Sequence, residues 1–317
     1  MTTNICLGTA AIGRPVYINI KQEPLNSSFD LDKFKSTGIE FIDFAYKSGI
    51  KHFDTSPSYG AAEQMLHEWL INNKHADAVF SSKWGYSYEA NFKEDAKLHE
   101  HKEHSISRLI EQWENTKKVL PNIKLYQIHS ATLESGVFDN HEVLKKLKEI
   151  KEELKIEIGF TTTGANQNAI IDKALSIETK GEQLFTSVQA TYNVFDQSLH
   201  KIIAKAKQNN LKIIVKESLA NGRIFKNENF THYNTVYSVL YELSRKYNVG
   251  NDAIALRFVI DTIAPENLLI GATNKVQLES NVKCLSFKLL NNEIEKIKEL
   301  SVSPEFYWKE RSALNWN

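Results

Sequence analysis

The chain has 317 residues, with 39 basic and 39 acidic side chains, 42% hydrophobic residues and 25% charged ones. A domain size of about 150 residues would divide it in two, but α/β barrels run to ~250 residues or more as one unit. Balanced charge leaves no net field for nucleic acid or an anionic membrane surface. No run of about 18 apolar residues and no basic-then-apolar leader is present, so the expectation is a cytoplasmic protein without a membrane span. Cys6 and Cys284 stand far apart, which is neither a disulfide framework nor a zinc signature, and suits a reducing compartment.

Short aliphatic or β-branched runs alternate with longer amphipathic stretches from end to end. The predicted strands are Ile5–Gly8, Ile50–Asp54, Val79–Lys83, Leu125–His129, Ile156–Phe160, Ser187–Ala190, Leu211–Lys216 and Leu268–Gly271. Between them lie helical segments such as Phe34–Ser48, Ala61–Asn72, Ser105–Leu120, Glu142–Leu154, Leu199–Asn209 and Thr235–Asn248. In Ser105–Leu120, the residues Ile106, Leu109, Ile110, Trp113 and Leu120 recur at helical spacing, which predicts one buried face. Strand–helix alternation implies parallel strands, because each crossover needs a helix. An open dinucleotide-binding sheet should carry Gly-x-Gly-x-x-Gly after an early strand, whereas the first strand here leads into Gly8-Thr9-Ala10-Ala11-Ile12-Gly13. The expected fold is therefore a single (β/α)8 TIM barrel over residues 1–317, with the tail 302–317 near its pocket.

Catalytic residues of such barrels sit at the carboxyl ends of the strands. Those ends carry Asp54, Tyr59 in the loop that follows, Lys83 and His129, in the words His52-Phe53-Asp54-Thr55-Ser56-Pro57-Ser58-Tyr59-Gly60-Ala61-Ala62-Glu63, Ser81-Ser82-Lys83-Trp84-Gly85 and Tyr126-Gln127-Ile128-His129-Ser130. Here the chain resembles the aldo-keto reductase family, from Leu7-Gly8-Thr9 to about Asn281. The resemblance implies an Asp54–Tyr59–Lys83–His129 tetrad and an oxidoreductase that moves a hydride between NADPH or NADH and an aldehyde, ketone or aldose. Carbonyl reduction needs a hydride at carbon and a proton at oxygen. A free tyrosine, with a pKa of about 10, is a reluctant acid at neutral pH. An adjacent ammonium lowers that pKa, so Lys83 is expected to tune Tyr59, with Asp54 orienting the lysine and His129 positioning the carbonyl oxygen. Each residue alone has a plainer role: a turn cap for Asp54, rim packing for Tyr59, a surface lysine, a structural histidine. Their joint order favours the catalytic reading.

The same resemblance implies cofactor contacts. Thr161 and Thr162, in Gly159-Phe160-Thr161-Thr162-Thr163, stand where the family has Ser-Asn for the nicotinamide amide; Gln189 matches the family glutamine. Lys216 replaces the aromatic residue that stacks on the ring, while Ser218, Leu219, Gly222 and Arg223 follow as a pyrophosphate cradle. After the eighth strand come Gly271, Ala272, Lys275, Gln277 and Asn281, at a helix start suited to phosphate. Relatives place Lys-Ser and Arg there for a 2′-phosphate; with only Lys275 left, NADP(H) is expected over NAD(H) by a small margin. No metal is expected. Two other readings stay open: a Schiff-base aldolase with Lys83 as nucleophile, and a cofactor-sensing interaction protein using the aromatics Phe306, Tyr307, Trp308 and Trp316. The expected partner is a small carbonyl compound or sugar, met by the aromatic loops at Tyr86, Tyr88, Phe92 and 225–233.

Overall fold

A computed structural model describes residues 3–20, 29–74, 77–93, 95–179 and 181–316. Eight parallel strands close into a barrel in chain order: β1 (Asn4–Gly8), β2 (His52–Asp54), β3 (Val79–Trp84), β4 (Ile123–Ala131), β5 (Glu157–Thr162), β6 (Ser187–Thr191), β7 (Lys212–Lys216) and β8 (Asn267–Ile270). Closure is made by β1 against β8, where Ile5 faces Leu268 and Leu7 faces Ile270. The (β/α)8 expectation holds, and each predicted strand lies within two residues of an observed one.

The helices pack outside because each carries one apolar stripe. In α1 (Leu31–Lys47), Asp30 caps the start by accepting from the backbone N–H of Asp32 (3.0 Å) and Lys33 (3.1 Å), and Phe41, Ile42 and Ala45 face inward. In α3 (Ile106–Val119), Ser105 accepts from the Arg108 N–H at 3.1 Å. Here the expected face is corrected: Ile110 is 43% exposed, and Gln112 and Thr116 take inward positions beside Leu109 and Trp113. Gln112 is buried because its amide bridges the Gly85 N–H and the Tyr86 carbonyl, a job that apolar spacing cannot reveal.

The remaining helices are α2 (Ala62–Asn72), α4 (His141–Leu154), α5 (Gln167–Leu175), α6 (His200–Gln208), α7 (Asn234–Tyr247), α8 (Asn251–Ile263), α9 (Lys275–Val282), α10 (Asn291–Lys298) and α11 (Pro304–Ser312). Tail helix α11 is tied to the loops after β6 and β7: Trp308 Nε1 donates to Asp196 at 3.1 Å, and Tyr307 Oη donates to Glu217 at 3.2 Å. Trp316 then pairs with Ile18 of the loop after β1; Asn317 lies outside the described residues. The tail thus crosses the carboxyl end of the barrel, where the strand-end residues emerge.

Candidate active site

Two glycines set the position of Tyr59. A Cβ on Gly13 would stand 2.0 Å from the Tyr59 carbonyl oxygen and 2.5 Å from the Ala62 Cβ, so the loops after β1 and β2 meet only with hydrogen at that place. Gly60 meets the same junction from the other side at φ +59, its notional Cβ 2.4 Å from the Gly13 oxygen. The Ala61 N–H donates to the Gly13 carbonyl at 2.8 Å and locks the contact. Tyr59 is left 9% exposed, and its hydroxyl makes no hydrogen bond to any described residue.

Beneath it lies a buried ion pair. Lys83, at 0% exposure, donates from Nζ to Asp54 Oδ2 and to the Thr55 carbonyl at 2.9 Å. The other carboxylate oxygen of Asp54 accepts from Ser81 Oγ at 2.8 Å, Gln189 Nε2 at 3.0 Å and Gln127 Nε2 at 3.3 Å. Residues of β2, β3, β4 and β6 therefore converge on one carboxylate inside the barrel, which is how a charged pair is tolerated in so dry a place. The Lys83 ammonium sits 4.6 Å from the Tyr59 ring centroid.

His129 is aimed by an irregularity in the sheet. The β4–β5 register shifts between Ile128 and Ala131, Ser130 takes φ 49, and the Ser130 N–H donates to Thr161 Oγ1 at 2.7 Å. The imidazole stands edge-on to Tyr59, centroids 5.6 Å apart at 84°, with Nδ1 3.3 Å from Ser56 Oγ. Burial, followed by the positive charges of Lys83, Lys216 and Arg14, drives its pKa well below the usual histidine range, so the ring is neutral at pH 7.

One expectation about the phenol is corrected. Lys83 was expected to draw the Tyr59 pKa down, but its charge is matched by Asp54, and the phenol is pushed up, first by burial and then by the Asp54 carboxylate. The charge that opposes this rise is Arg14, a residue that strand-end reasoning missed. Its guanidinium is buried against three rings, 5.2 Å from the centroid of Tyr59, 4.8 Å from Tyr17 and 5.1 Å from Trp316, and is held by Glu100 at 2.7 Å. The available signal was an arginine in a loop leaving a strand's carboxyl end. Glu63, which closes the Asp-Thr-x-x-x-Tyr-Gly-x-x-Glu stretch, accepts from Ser82 Oγ at 2.6 Å and Thr116 Oγ1 at 3.2 Å; burial raises its pKa to about 7.

The expected cofactor residues divide into open and engaged groups. Thr161 and Thr162 are buried at the end of β5; Thr162 Oγ1 lies 3.4 Å from Gln167 Oε1. Gln189 faces the barrel interior, its amide nitrogen spent on Asp54. Ser218 Oγ is buried with no partner, an unsatisfied donor of the kind a ligand oxygen would satisfy, and Leu219 beside it is half-buried. Gly222, at φ +86, lies under Asn19 and Ile20. Gly271 is exposed with nothing within 4 Å of a notional Cβ, Ala272 is buried beside it, and Lys275 is exposed with Nζ 5.1 Å from the Phe44 ring centroid. These positions leave a channel floor that accommodates an extended ligand.

Three other expectations do not survive the geometry. Arg223 is fully buried, donates to the Ala220 carbonyl at 3.0 Å and the Tyr307 carbonyl at 3.2 Å, and faces Glu310 at 3.3 Å, so it secures the tail helix instead of meeting a phosphate. Asn281 turns inward to donate to Asp252 at 2.6 Å. Gln277 folds back on its own helix start, accepting from the Thr273 N–H at 2.9 Å. An adenine placed between Gln277 and Asn281 would have to displace these bonds. Among the described residues no metal-holding cluster of His, Cys, Asp and Glu occurs, and no helix is long and apolar enough to cross a membrane.

Comparison with known proteins agrees with this geometry. Residues 4–302 match the profile described as the aldo/keto reductase family. An uncharacterized oxidoreductase of Bacillus subtilis, YqkF, is 19% identical over 303 residues, covering 88% of this chain and 92% of that protein. The structure is similar to the holo form of aldo-keto reductase AKR11C1 from Bacillus halodurans (TM-score 0.69, 18% identity, 95% of this chain and 92% of that one). It is also similar to glycerol dehydrogenase AKR11B4 from Gluconobacter oxydans (TM-score 0.70, 19% identity, 93% of this chain and 90% of that one).

Proposed function

We propose, from the premise that this chain belongs to the aldo/keto reductase family and is an NAD(P)-dependent oxidoreductase, that it reduces an aldehyde, ketone or aldose with Tyr59 as proton donor. The observation that carries the reading is the unpartnered Tyr59 hydroxyl placed between the buried Asp54–Lys83 pair and a neutral His129. Thr161, Thr162, Ser218, Leu219, Gly222, Gly271 and Ala272 are the residues assigned to the nicotinamide cofactor, and the orphaned Ser218 hydroxyl supports that fit. When bound, the cofactor supplies or accepts the hydride.

The protein's own part is the proton. A carbonyl oxygen gains basicity as negative charge develops on it, and Tyr59 Oη, which has no competing acceptor, donates to it. His129 stays neutral, and with Nδ1 at Ser56 its Nε2 is the ring nitrogen available to hold the same oxygen. Lys83, fixed by Asp54 and Thr55, provides a preorganised positive charge that stabilises phenolate once the proton has left. In the oxidative direction Tyr59 takes the proton back from the alcohol. For the cofactor's 2′-phosphate the expected preference is NADPH over NADH by a few-fold, through the exposed Lys275.

The test is Tyr59→Phe, which deletes the acid and conserves the ring. General acid catalysis contributes about 10²–10⁴-fold, so turnover should fall by that factor with NADPH still bound. A loss below about 5-fold would remove Tyr59 from the role.

A further inference from the structure

We infer that Lys216 receives an anionic group on the carbonyl substrate, so that the preferred substrates are carbonyl compounds carrying a carboxylate; this rests on the reading above of the Tyr59 site. The argument begins with strand register. On β6 and β7, Gln189 lies beside Ile214 and Thr191 beside Lys216. Gln189 points into the barrel to Asp54, so Lys216, two residues beyond Ile214, leaves β7 on the same inner side one layer nearer the mouth. It is half-buried, and its ammonium is within electrostatic reach of Asp54, Lys83 and His129.

The neighbouring charges are already matched. Asp54 is bound by Lys83 and three neutral donors; Glu217 is bound by Arg311 through Nε at 3.2 Å and Nη2 at 3.1 Å and by Tyr307; Glu100 is bound by Arg14. Lys216 makes no hydrogen bond or ion pair with any described residue, and its one close contact is the Trp308 ring, 5.9 Å from Nζ. A half-buried ammonium with no counter-ion is costly unless a ligand provides one. Trp308 and Arg311 also line a cleft of about 330 Å³ with Thr163, Gly164 and Asn166, which gives space for the rest of an anionic substrate beside the lysine. Burial lowers the Lys216 pKa, with Arg311 and Lys83 acting in the same direction and Glu217 against it; a bound anion reverses that pressure.

The experiment compares 4-carboxybenzaldehyde with its neutral methyl ester, in the wild type and in Lys216→Met and Lys216→Arg. Because both aldehydes use the same cofactor, the acid-to-ester ratio of kcat/KM cancels any effect on cofactor binding. A hydrogen-bonded charge pair contributes about 10- to 100-fold, so the ratio should fall by that factor in Lys216→Met and be largely kept in Lys216→Arg. A ratio within threefold of wild type in Lys216→Met overturns the inference. So does a borohydride-stable adduct of the aldehyde on Lys216, which would make the lysine a nucleophile. If wild type turns over neither aldehyde, the Tyr59 reading fails separately. Titration with benzoate, followed by tryptophan fluorescence, then decides the anion site: about tenfold weaker binding in Lys216→Met supports it, and equal or absent binding overturns it.

Discussion

Breaking the Asp54–Lys83 pair from its two ends should have unequal costs. Removing one partner of a buried ion pair typically costs ~3–5 kcal/mol, because the other charge is left behind in a dry site. The residue left behind differs in the two cases. After Lys83→Met, Asp54 keeps the Ser81, Gln189 and Gln127 donors on Oδ1, each worth about 1 kcal/mol or more to a carboxylate. After Asp54→Asn, Lys83 keeps only the Thr55 carbonyl among its printed bonds, and the new carboxamide presents N–H groups to three side chains that are themselves donors. Asp54→Asn should therefore destabilise by roughly 4–5 kcal/mol and Lys83→Met by roughly 2–3 kcal/mol, with a double Asp54→Asn/Lys83→Met variant less damaged than the sum of the two. Urea unfolding at pH 7, followed by far-UV circular dichroism, measures all three. If Lys83→Met proves the more costly, or if both losses are under about 1 kcal/mol, the three neutral donors are not what supports the carboxylate.

Further outcomes follow from the charges around the site. Burial raises Glu63 to about 7, so the folded state binds an extra proton and loses stability as pH rises from 4.5 towards 7; burial lowers His104 to about 4, so the folded state gains stability as pH rises from 4 towards 6.5. Glu63→Gln removes the first contribution, and chemical unfolding between pH 4.5 and 6.5 should show stability rising more steeply than in wild type, by up to roughly 3 kcal/mol across the window; an unchanged slope would mean that Glu63 titrates normally. For the cofactor, the NADPH-to-NADH affinity ratio should be a few-fold, shrink at high salt and vanish in Lys275→Ala, since an exposed lysine contact is worth ~0.2–1 kcal/mol. A preference of about a hundredfold that survives Lys275→Ala would place the phosphate elsewhere.

The barrel was legible because β-runs and amphipathic helices alternate with periods set by backbone geometry. Its strand boundaries shift by one or two residues where hydrogen bonding, which the hydrophobic pattern does not encode, extends pairing: β4 runs on to Ala131, past His129, through the register shift. Ile110 was misplaced for a related reason. Counting apolar residues cannot know that Gln112 would be recruited inward to serve the Gly85 N–H and the Tyr86 carbonyl. Helix α8 also escaped notice; it is apolar nearly all round, from Ala253 to Val259, so it has no clean stripe to count.

At the site, the sequence located the four strand-end residues but misjudged their electrostatics, because the pairing of charges is a three-dimensional fact. Lys83 looked like the cation that would tune Tyr59 only while Asp54 was treated as a handle for the lysine; once the carboxylate lies against the ammonium, the pair's net charge is near zero and burial decides the phenol. Arg14 then becomes the nearby cation that lowers the Tyr59 pKa, although its own Glu100 partner partly offsets it. The same bookkeeping separates Arg223 from Lys216. Both follow β7 and both looked like cofactor ligands, yet Arg223 is enclosed by the Ala220 and Tyr307 carbonyls and Glu310, while Lys216 is left without a counter-ion. A positive charge is available to a ligand only when the fold has not already neutralised it, and at this barrel mouth that condition singles out Lys216.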